Sequence, residues 1–163
     1  ITGERAEESA ARAKYKAFET HRSFLDGKRT TRLIYHARIA KDVLEGQVWD
    51  LLKQYGVNPH PAYQAGWGRT SCLTCIFGSP NQWATVAKYM PDHLNKVIAY
   101  EKEFGVTIHR TMSIEEQVDR GVPYNVEPEV YKIAMSKDYD QEIILEGEWD
   151  LPRGAFGDSS GPT

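Results

Sequence analysis

The chain has 163 residues, 40% of them hydrophobic and 26% charged, with two cysteines and a net charge of −3 at pH 7. This composition is typical of an ordinary soluble globular domain, and no apolar run approaches the roughly 20 residues of a bilayer span. Two cysteines do not make a secreted disulfide framework, so we expect no membrane and a reducing, cytoplasmic setting.

The charge is distributed unevenly along the chain. Residues 1–42 carry ten Lys and Arg against six Asp and Glu, whereas residues 43–163 carry ten against seventeen. A basic N-terminal third suits an anionic ligand or nucleic acid, but it is more often a solvated face. Nucleic acid is therefore an alternative partner rather than the favoured one.

The first residues read as a strand that ends in a turn. Residues 1–2 are followed by Gly3, so we expect that a preceding portion is missing, cleaved or carried by another chain. The Ala-, Glu- and Lys-rich stretch 7–21 predicts a helix, and residues 24–30 predict a loop. The β-branched and aromatic stretch 32–39 predicts a strand.

The rest of the chain predicts mainly helices. Asp42, with Glu45 three residues later, predicts a capping box and a helix that ends at Gly56. The apolar stripe of that helix is expected at Leu44, Val48, Leu51, Leu52 and Tyr55. Cap and stop signals predict further helices over residues 80–89, 91–104, 113–121 and 129–137. The fold class is therefore α/β and dominated by helices.

The opening residues also suit an anion site. A strand end followed by Arg5 and, about one helical turn later, by Arg12 lets both guanidinium groups reach the same oxygens. The residues alone favour surface salt bridges with Glu4, Glu7 and Glu8.

A family resemblance changes that weighting. The segment TGERAEESAAR, residues 2–12, resembles the T-G-x-R-x-[DE]-[QE]-S-x-x-R block of the phosphoadenosine phosphosulfate (PAPS) reductase family. The match indicates a nucleotide or anion site at Gly3, Arg5, Glu8, Ser9 and Arg12. A second block, residues 38–63, resembles the family at Arg38, Asp42, Val48, Trp49, Leu51 and Tyr63. GWGRTSCLTC, residues 66–75, is similar to a third block. Arg69, in the glycine-rich part of this block, is interpreted either as a phosphate or sulfate contact or as a solvent-exposed residue.

The resemblance implies a specific architecture. Residues 1–150 would be the C-terminal, helix-dominated portion of an adenine-nucleotide alpha-hydrolase-like, Rossmann-like domain, and 151–163 a Gly/Pro/Ser-rich tail. The family's S-G-G-x-D-S phosphate loop precedes the first block and does not occur here. A missing segment or partner chain would supply it, and a homo-oligomer is compatible with the resemblance.

The pair Cys72-x-x-Cys75 has three interpretations. It is either two small buried residues in a glycine-rich turn or, with equal weight, part of a zinc or iron–sulfur site. A free redox pair ranks third. Zinc or a cluster would need further ligands from outside this chain, and the resemblance places the other cluster cysteines upstream of residue 2.

The resemblance implies an adenine-nucleotide or sulfonucleotide-binding protein in sulfate reduction or sulfur transfer. An oxidoreductase or sulfur transferase is expected, similar to some phage-encoded members, although not with catalysis by this fragment alone. The tail has no match to the family's catalytic C-terminal cysteine. Of the family's properties, nucleotide binding is therefore expected here rather than thiol-mediated reduction, and the catalytic residues are unknown. The alternatives are a non-catalytic nucleotide-binding or assembly module, or a component of nucleic-acid (sulfur) modification.

Overall fold

The structure, a computed structural model, describes residues 1–27, 31–70 and 72–157. Within these ranges the chain is a mixed α and β protein with seven α-helices and two small antiparallel sheets. This confirms the helix-dominated α/β class at a coarse level. The described residues divide into two compact units, 1–50 and 51–157. No helix among them combines the length and hydropathy that a bilayer span requires.

The first unit is built on short strands. Its two antiparallel pairs are β1 (Phe18–Thr20) with β4 (Tyr35–Ala37), and β2 (Leu25–Asp26) with β3 (Thr31–Arg32). The strand predicted over 32–39 is therefore present only in part, and the loop predicted over 24–30 contains β2. Residues 28–30 of that loop lie outside the described residues. Thr2 forms an isolated parallel bridge with Arg38, in agreement with a strand-like start.

The long helix predicted over residues 7–21 is wrong. The chain forms a 3₁₀ turn at Ala6–Glu8, a single helical turn α1 at Ala10–Ala13, and then β1. Ser9 separates the two turns, because its backbone is extended and its hydroxyl accepts a hydrogen bond from the Arg12 amide. The pairing of β1 with β4 supplies hydrogen bonds that local helix propensity cannot anticipate.

Helix α2 spans Glu45–Gln54 and is followed by Gly56, the predicted stop residue, which has a left-handed φ of 62°. Its start was predicted wrongly, since it begins at Glu45 rather than just after Asp42. The Glu45 amide donates to a Glu7 carboxylate oxygen at 2.7 Å, so a distant side chain stabilises the helix start.

The predicted apolar stripe of α2 is packed only in part. Val48 and Leu52 are half-buried. Leu44, Leu51 and Tyr55 are 49–62% exposed, and the buried residue of this helix is Trp49. The helix period was read correctly, but periodicity alone does not show which face finds a packing partner.

The second unit follows the sequence predictions closely. Its helices are α3 (Pro61–Gln64), α4 (Pro80–Tyr89), α5 (Pro91–Phe104), α6 (Ile114–Arg120) and α7 (Pro128–Met135). Two capping boxes form in this unit, Ser79 with Gln82 and Ser113 with Glu116, whereas the box predicted at Asp42 and Glu45 is not present at the start of α2. Gly105 ends α5 with a φ of 65°.

The core of the second unit lies between α4 and the segments packed on it. Trp83 and Val86 are 1% exposed and Ile114 is fully buried. Gly121, at the end of α6, lies against the start of α4, where an added Cβ would collide with the Pro80 carbonyl oxygen. Close contact of α6 with α4 therefore requires glycine at this position.

The residues after α7 pack against the start of the second unit. Val57 and Ile144 form an antiparallel bridge, and the Trp149 indole donates to the Val57 carbonyl at 2.8 Å. Gly154 is buried, and its amide donates to the Tyr63 carbonyl at 2.7 Å. The first part of the predicted tail is thus packed, and residues 158–163 lie outside the described residues.

Replacing Gly121→Ala should lower the free energy of unfolding by about 1–3 kcal/mol, because the new methyl group overpacks the α4–α6 contact. Chemical denaturation measures the change. Gly3→Ala is the matched control, since a Cβ there meets no atom within 4 Å. Equal stability of the two variants would contradict the close packing.

Candidate functional site

The second unit contains a cavity of about 370 Å³ beside the cysteine segment. Its lining comes from α3, the loop that follows it, the α4–α5 junction, and α7. The apolar lining residues are Ala62, Ala65, Trp67, Leu73, Met90, Val126, Ala134 and Met135, and the polar ones are His60, Arg69, Thr70, Cys72 and Tyr131. A mostly apolar cavity with a few polar groups is the usual form of a small-molecule site.

Trp67 forms one wall of the cavity and is fixed by packing. It is 8% exposed, and its ring meets the edge of Tyr124 with centroids 5.7 Å apart. The Tyr124 amide donates to the Thr85 hydroxyl at 2.8 Å, and that hydroxyl donates to the Asn81 carbonyl. Trp67 is therefore a packed residue that also gives the cavity an aromatic wall.

Tyr131 and Val126 form a second wall, which is tied to α4. The Tyr131 hydroxyl donates to the Tyr89 carbonyl at 3.1 Å, and the Val126 amide donates to the Tyr89 hydroxyl at 3.2 Å. The Val126 amide and then the Lys88 ammonium lower the pKa of Tyr89. Hydrogen bonds to α4 therefore hold both walls in place.

The described lining of the cavity contains a cationic side chain and no carboxylate. Arg69 and His60 line the cavity, whereas no Asp or Glu does so among the described residues. Within the described ranges Arg69 is in no ion pair and no side-chain hydrogen bond. His60 Nδ1 accepts the Ala62 amide at 3.1 Å, so the proton of the neutral ring lies on Nε2. The site therefore offers donors suited to an anion.

The two cysteines differ in exposure. Cys72 is exposed and lines the cavity, whereas Cys75 is half-buried and Ile76 is 53% exposed. The interpretation of the pair as two buried residues is therefore wrong for Cys72, and Cys75 is buried only in part. Leu73 packs against the core cluster. This contact anchors the turn, while Cys72 is left exposed and Cys75 half-buried.

The thiols alone do not complete a metal site. Zinc and iron–sulfur sites take four protein ligands when closed. No group of three or more His, Cys, Asp or Glu side chains in the described residues is arranged to hold a metal ion. Two thiolates do not fit zinc or a cluster without outside ligands, so either cofactor stays a prediction that depends on another segment or chain.

Cys72 should be alkylated several-fold faster than Cys75 in the native protein, because its side chain is the more exposed of the two. A timed iodoacetamide pulse followed by peptide mass spectrometry measures both rates. Denatured protein serves as the control, in which the two rates should converge. Faster native labelling at Cys75 would contradict the arrangement described here.

The arginine cluster predicted from the opening residues lies in the first unit. Arg5 pairs with Glu7 at 2.9 Å and with Glu8 at 3.4 Å, and Arg12 also pairs with Glu8. The structure thus brings Arg5, Glu8 and Arg12 together, while Ser9 caps α1. The salt bridges that the residues alone favoured are present in the structure. Anion binding by this cluster stays a prediction.

Arg38 organises the first unit and was not predicted as a site residue. It is 7% exposed, and it donates to Glu4 at 2.8 Å, to Glu19 at 2.6 Å and to the Lys16 carbonyl. His36 Nδ1 lies 3.1 Å from the same guanidinium. Arg38 is one of the residues that match the second PAPS reductase block. Its structural role, however, is visible only from its burial and its hydrogen bonds.

Glu4 links this network to the N-terminus. A hydrogen bond from the Thr2 hydroxyl, followed by one from Arg38, lowers the pKa of Glu4, and His36 lies 3.3 Å away. A carboxyl whose pKa is lowered by folding stabilises the folded state above its unfolded pKa. That contribution is lost as the pH falls through the lower, folded value.

Glu4→Gln should therefore reduce the loss of thermal stability that occurs as the pH falls below 4.5, the ordinary pKa of the group. Circular dichroism melting curves at several pH values measure the effect. Glu103→Gln is the control, because Glu103 is exposed and has no ion pair within the described ranges. Identical pH profiles for wild type and Glu4→Gln would contradict the prediction.

The remaining lining residues were missed by sequence reasoning. His60 precedes Pro61 in the stretch between the predicted helix that ends at Gly56 and the one that begins at residue 80. Tyr131 and Met135 lie on α7, for which a helix but no site residue was predicted. A His-Pro pair at a helix start was the available signal for His60. No local pattern indicates that α7 and the segment after α3 meet at one cavity.

Comparison with known proteins gives little functional information. No family model matches the chain, and no solved structure matches it. The chain is 31% identical over 100 residues to an uncharacterized 37.8 kDa protein in the gpa 5' region of Escherichia phage 186. That match covers 61% of this chain and 28% of the relative's length, so the relative is a considerably longer protein.

Proposed function

We propose that the second-unit cavity binds an adenine nucleotide or sulfonucleotide, and that the protein is PAPS reductase-like and acts in sulfate reduction or sulfur transfer. The same proposal includes a fold, in which this chain is part of a Rossmann-like domain that binds adenine nucleotides. The phage relative is compatible with a phage-encoded member.

One observation carries the proposal: an arginine without an ion-pair partner in the described ranges lines an aromatic-walled cavity that lacks carboxylates there. Trp67 and Tyr131 offer apolar surface to a planar base. Arg69 offers a planar, permanently charged donor set that matches a phosphate or sulfate. His60 adds a donor at Nε2.

The volume suits the same class of ligand. A cavity of about 370 Å³ falls within the roughly 300–1,000 Å³ range of small-molecule sites. Cys72 lies on its lining, so a thiol would be next to a bound sulfonucleotide. Cys72 is given a position beside the ligand and no catalytic step, because the C-terminal segment of this sequence has no match to the family's catalytic cysteine.

Calorimetric titration with adenosine 5′-phosphosulfate, its 3′-phosphorylated form and AMP tests the proposal. Arg69→Gln should weaken binding by roughly 10- to 100-fold, the usual loss of a charge-assisted hydrogen bond. Arg110→Gln is the matched control, because Arg110 is exposed, lies outside this cavity and has no ion pair among the described residues. Equal losses in both variants, or no binding at millimolar ligand, would exclude the site.

The enzyme and module alternatives are separated on the full reading frame that encodes this chain. Release of sulfite from a bound sulfonucleotide with a dithiol reductant favours the enzyme, and binding without turnover favours the module. Iron, zinc and acid-labile sulfide in anaerobically purified full-length protein report whether outside ligands complete a site at Cys72 and Cys75.

A further inference from the structure

The two faces of the β1–β4 sheet have different surroundings. Glu19 pairs with His36 in the register, and both side chains contact the Arg38 network. Because side chains alternate along a strand, Phe18 and Tyr35 lie on the opposite face. Phe18 is 62% exposed and Tyr35 is 50% exposed, so this face is open to solvent.

The exposed aromatic side chains are ordered into a platform. The rings of Phe18 and Tyr35 stack with centroids 5.3 Å apart and planes 15° from parallel. Phe24, which is half-buried, meets the Tyr35 ring edge-on at 5.7 Å. The stack is thus held from one side by a third ring, and the surface of Phe18 stays accessible. We call Phe18 and Tyr35 the aromatic platform.

The segments next to the aromatic platform are basic. Lys14, Lys16, Arg22 and Arg32 are exposed, and none of them has an ion-pair partner among the described residues. Of the two acidic residues in the described parts of 14–37, Glu19 is engaged by Arg38 and only Asp26 is left. The stretch of sequence that carries the platform is therefore locally positive on a protein with a net charge of −3. Asp42, which lines a cavity together with Phe18, pairs with Lys41 at 3.7 Å.

We propose that the aromatic platform and its basic flanks bind single-stranded nucleic acid. Stacking on exposed aromatic rings and neutralisation of phosphates by nearby cations are the two components of such binding. Each base has a flat π-face that fits the accessible side of Phe18, and the exposed cations meet the backbone. An apolar protein partner would gain nothing from the four cations, so the charge favours nucleic acid.

The second unit supplies an internal control for this idea. Tyr100 and Phe104 on α5 also stack, with centroids 6.0 Å apart and planes 15° from parallel. They are 55% and 66% exposed, but the three residues between them in sequence are two acids and one base, Glu101, Lys102 and Glu103. The two aromatic pairs match in geometry and exposure and differ in the charge around them.

Fluorescence anisotropy with a labelled 12-nucleotide oligodeoxythymidylate at low salt tests the proposal. Phe18→Ala/Tyr35→Ala should weaken binding at least about fivefold, the lower end of the effect of removing one stacked base. Tyr100→Ala/Phe104→Ala should leave the affinity unchanged. A duplex of equal length should compete poorly, because its bases are not free to stack on the platform.

Charge variants test the second component without disturbing the rings. Arg22→Gln and Arg32→Gln should each weaken binding and lower the slope of log K against log salt by about 0.7 per lost phosphate contact. Lys96→Gln, an exposed lysine on α5 without an ion pair in the described ranges, is the control and should leave the slope unchanged.

Three results would overturn the proposal. The first is no binding of the wild-type protein at low salt, and the second is equal loss in the α5 pair and the platform variant. The third is a platform variant that keeps its affinity but changes its oligomeric state, which would make the platform a protein interface. If Phe18→Ala/Tyr35→Ala fails to fold, the Arg22→Gln and Arg32→Gln slopes decide, and unchanged slopes overturn the proposal.

Discussion

The buried face of α4 is the constraint on which the second unit depends. Thr85 is fully buried, and its hydroxyl both donates to the Asn81 carbonyl and accepts the Tyr124 amide. Tyr124 in turn meets the edge of Trp67. A buried amide left without an acceptor costs about 1–3 kcal/mol, so this hydroxyl fixes the segment that follows α6. The cavity wall is a consequence of how α4 satisfies its neighbours.

The chemistry of the cavity follows from what surrounds Arg69. An arginine that is compensated by a carboxylate has little left to offer an anion, as Arg5 and Arg12 illustrate through Glu8. The cavity lining has no carboxylate among the described residues, so Arg69 keeps its hydrogen-bonding capacity. Because of this contrast, the proposed nucleotide site is placed in the second-unit cavity rather than at the arginine-rich opening.

The first unit depends on a different interaction, the buried guanidinium of Arg38. Burying this charge is costly unless carboxylates and carbonyls surround it, and Glu4, Glu19 and the Lys16 carbonyl do so. This network lies on one face of the β1–β4 sheet, and Phe18 and Tyr35 lie on the opposite, solvent-exposed face. The aromatic exposure therefore has a structural origin in the placement of one arginine.

The sequence by itself determined the helices of the second unit, because caps and glycine stops are local and Ser79, Ser113 and Gly105 act within one turn. It also indicated Arg69 and Cys72, although not their neighbours His60 and Tyr131. Only the tertiary structure decided the first unit, where strand pairing over 15 or more residues overrode the helix propensity of residues 7–21. Burial of Arg38 and the meeting of α3 with α7 are likewise long-range, so no local pattern encodes them.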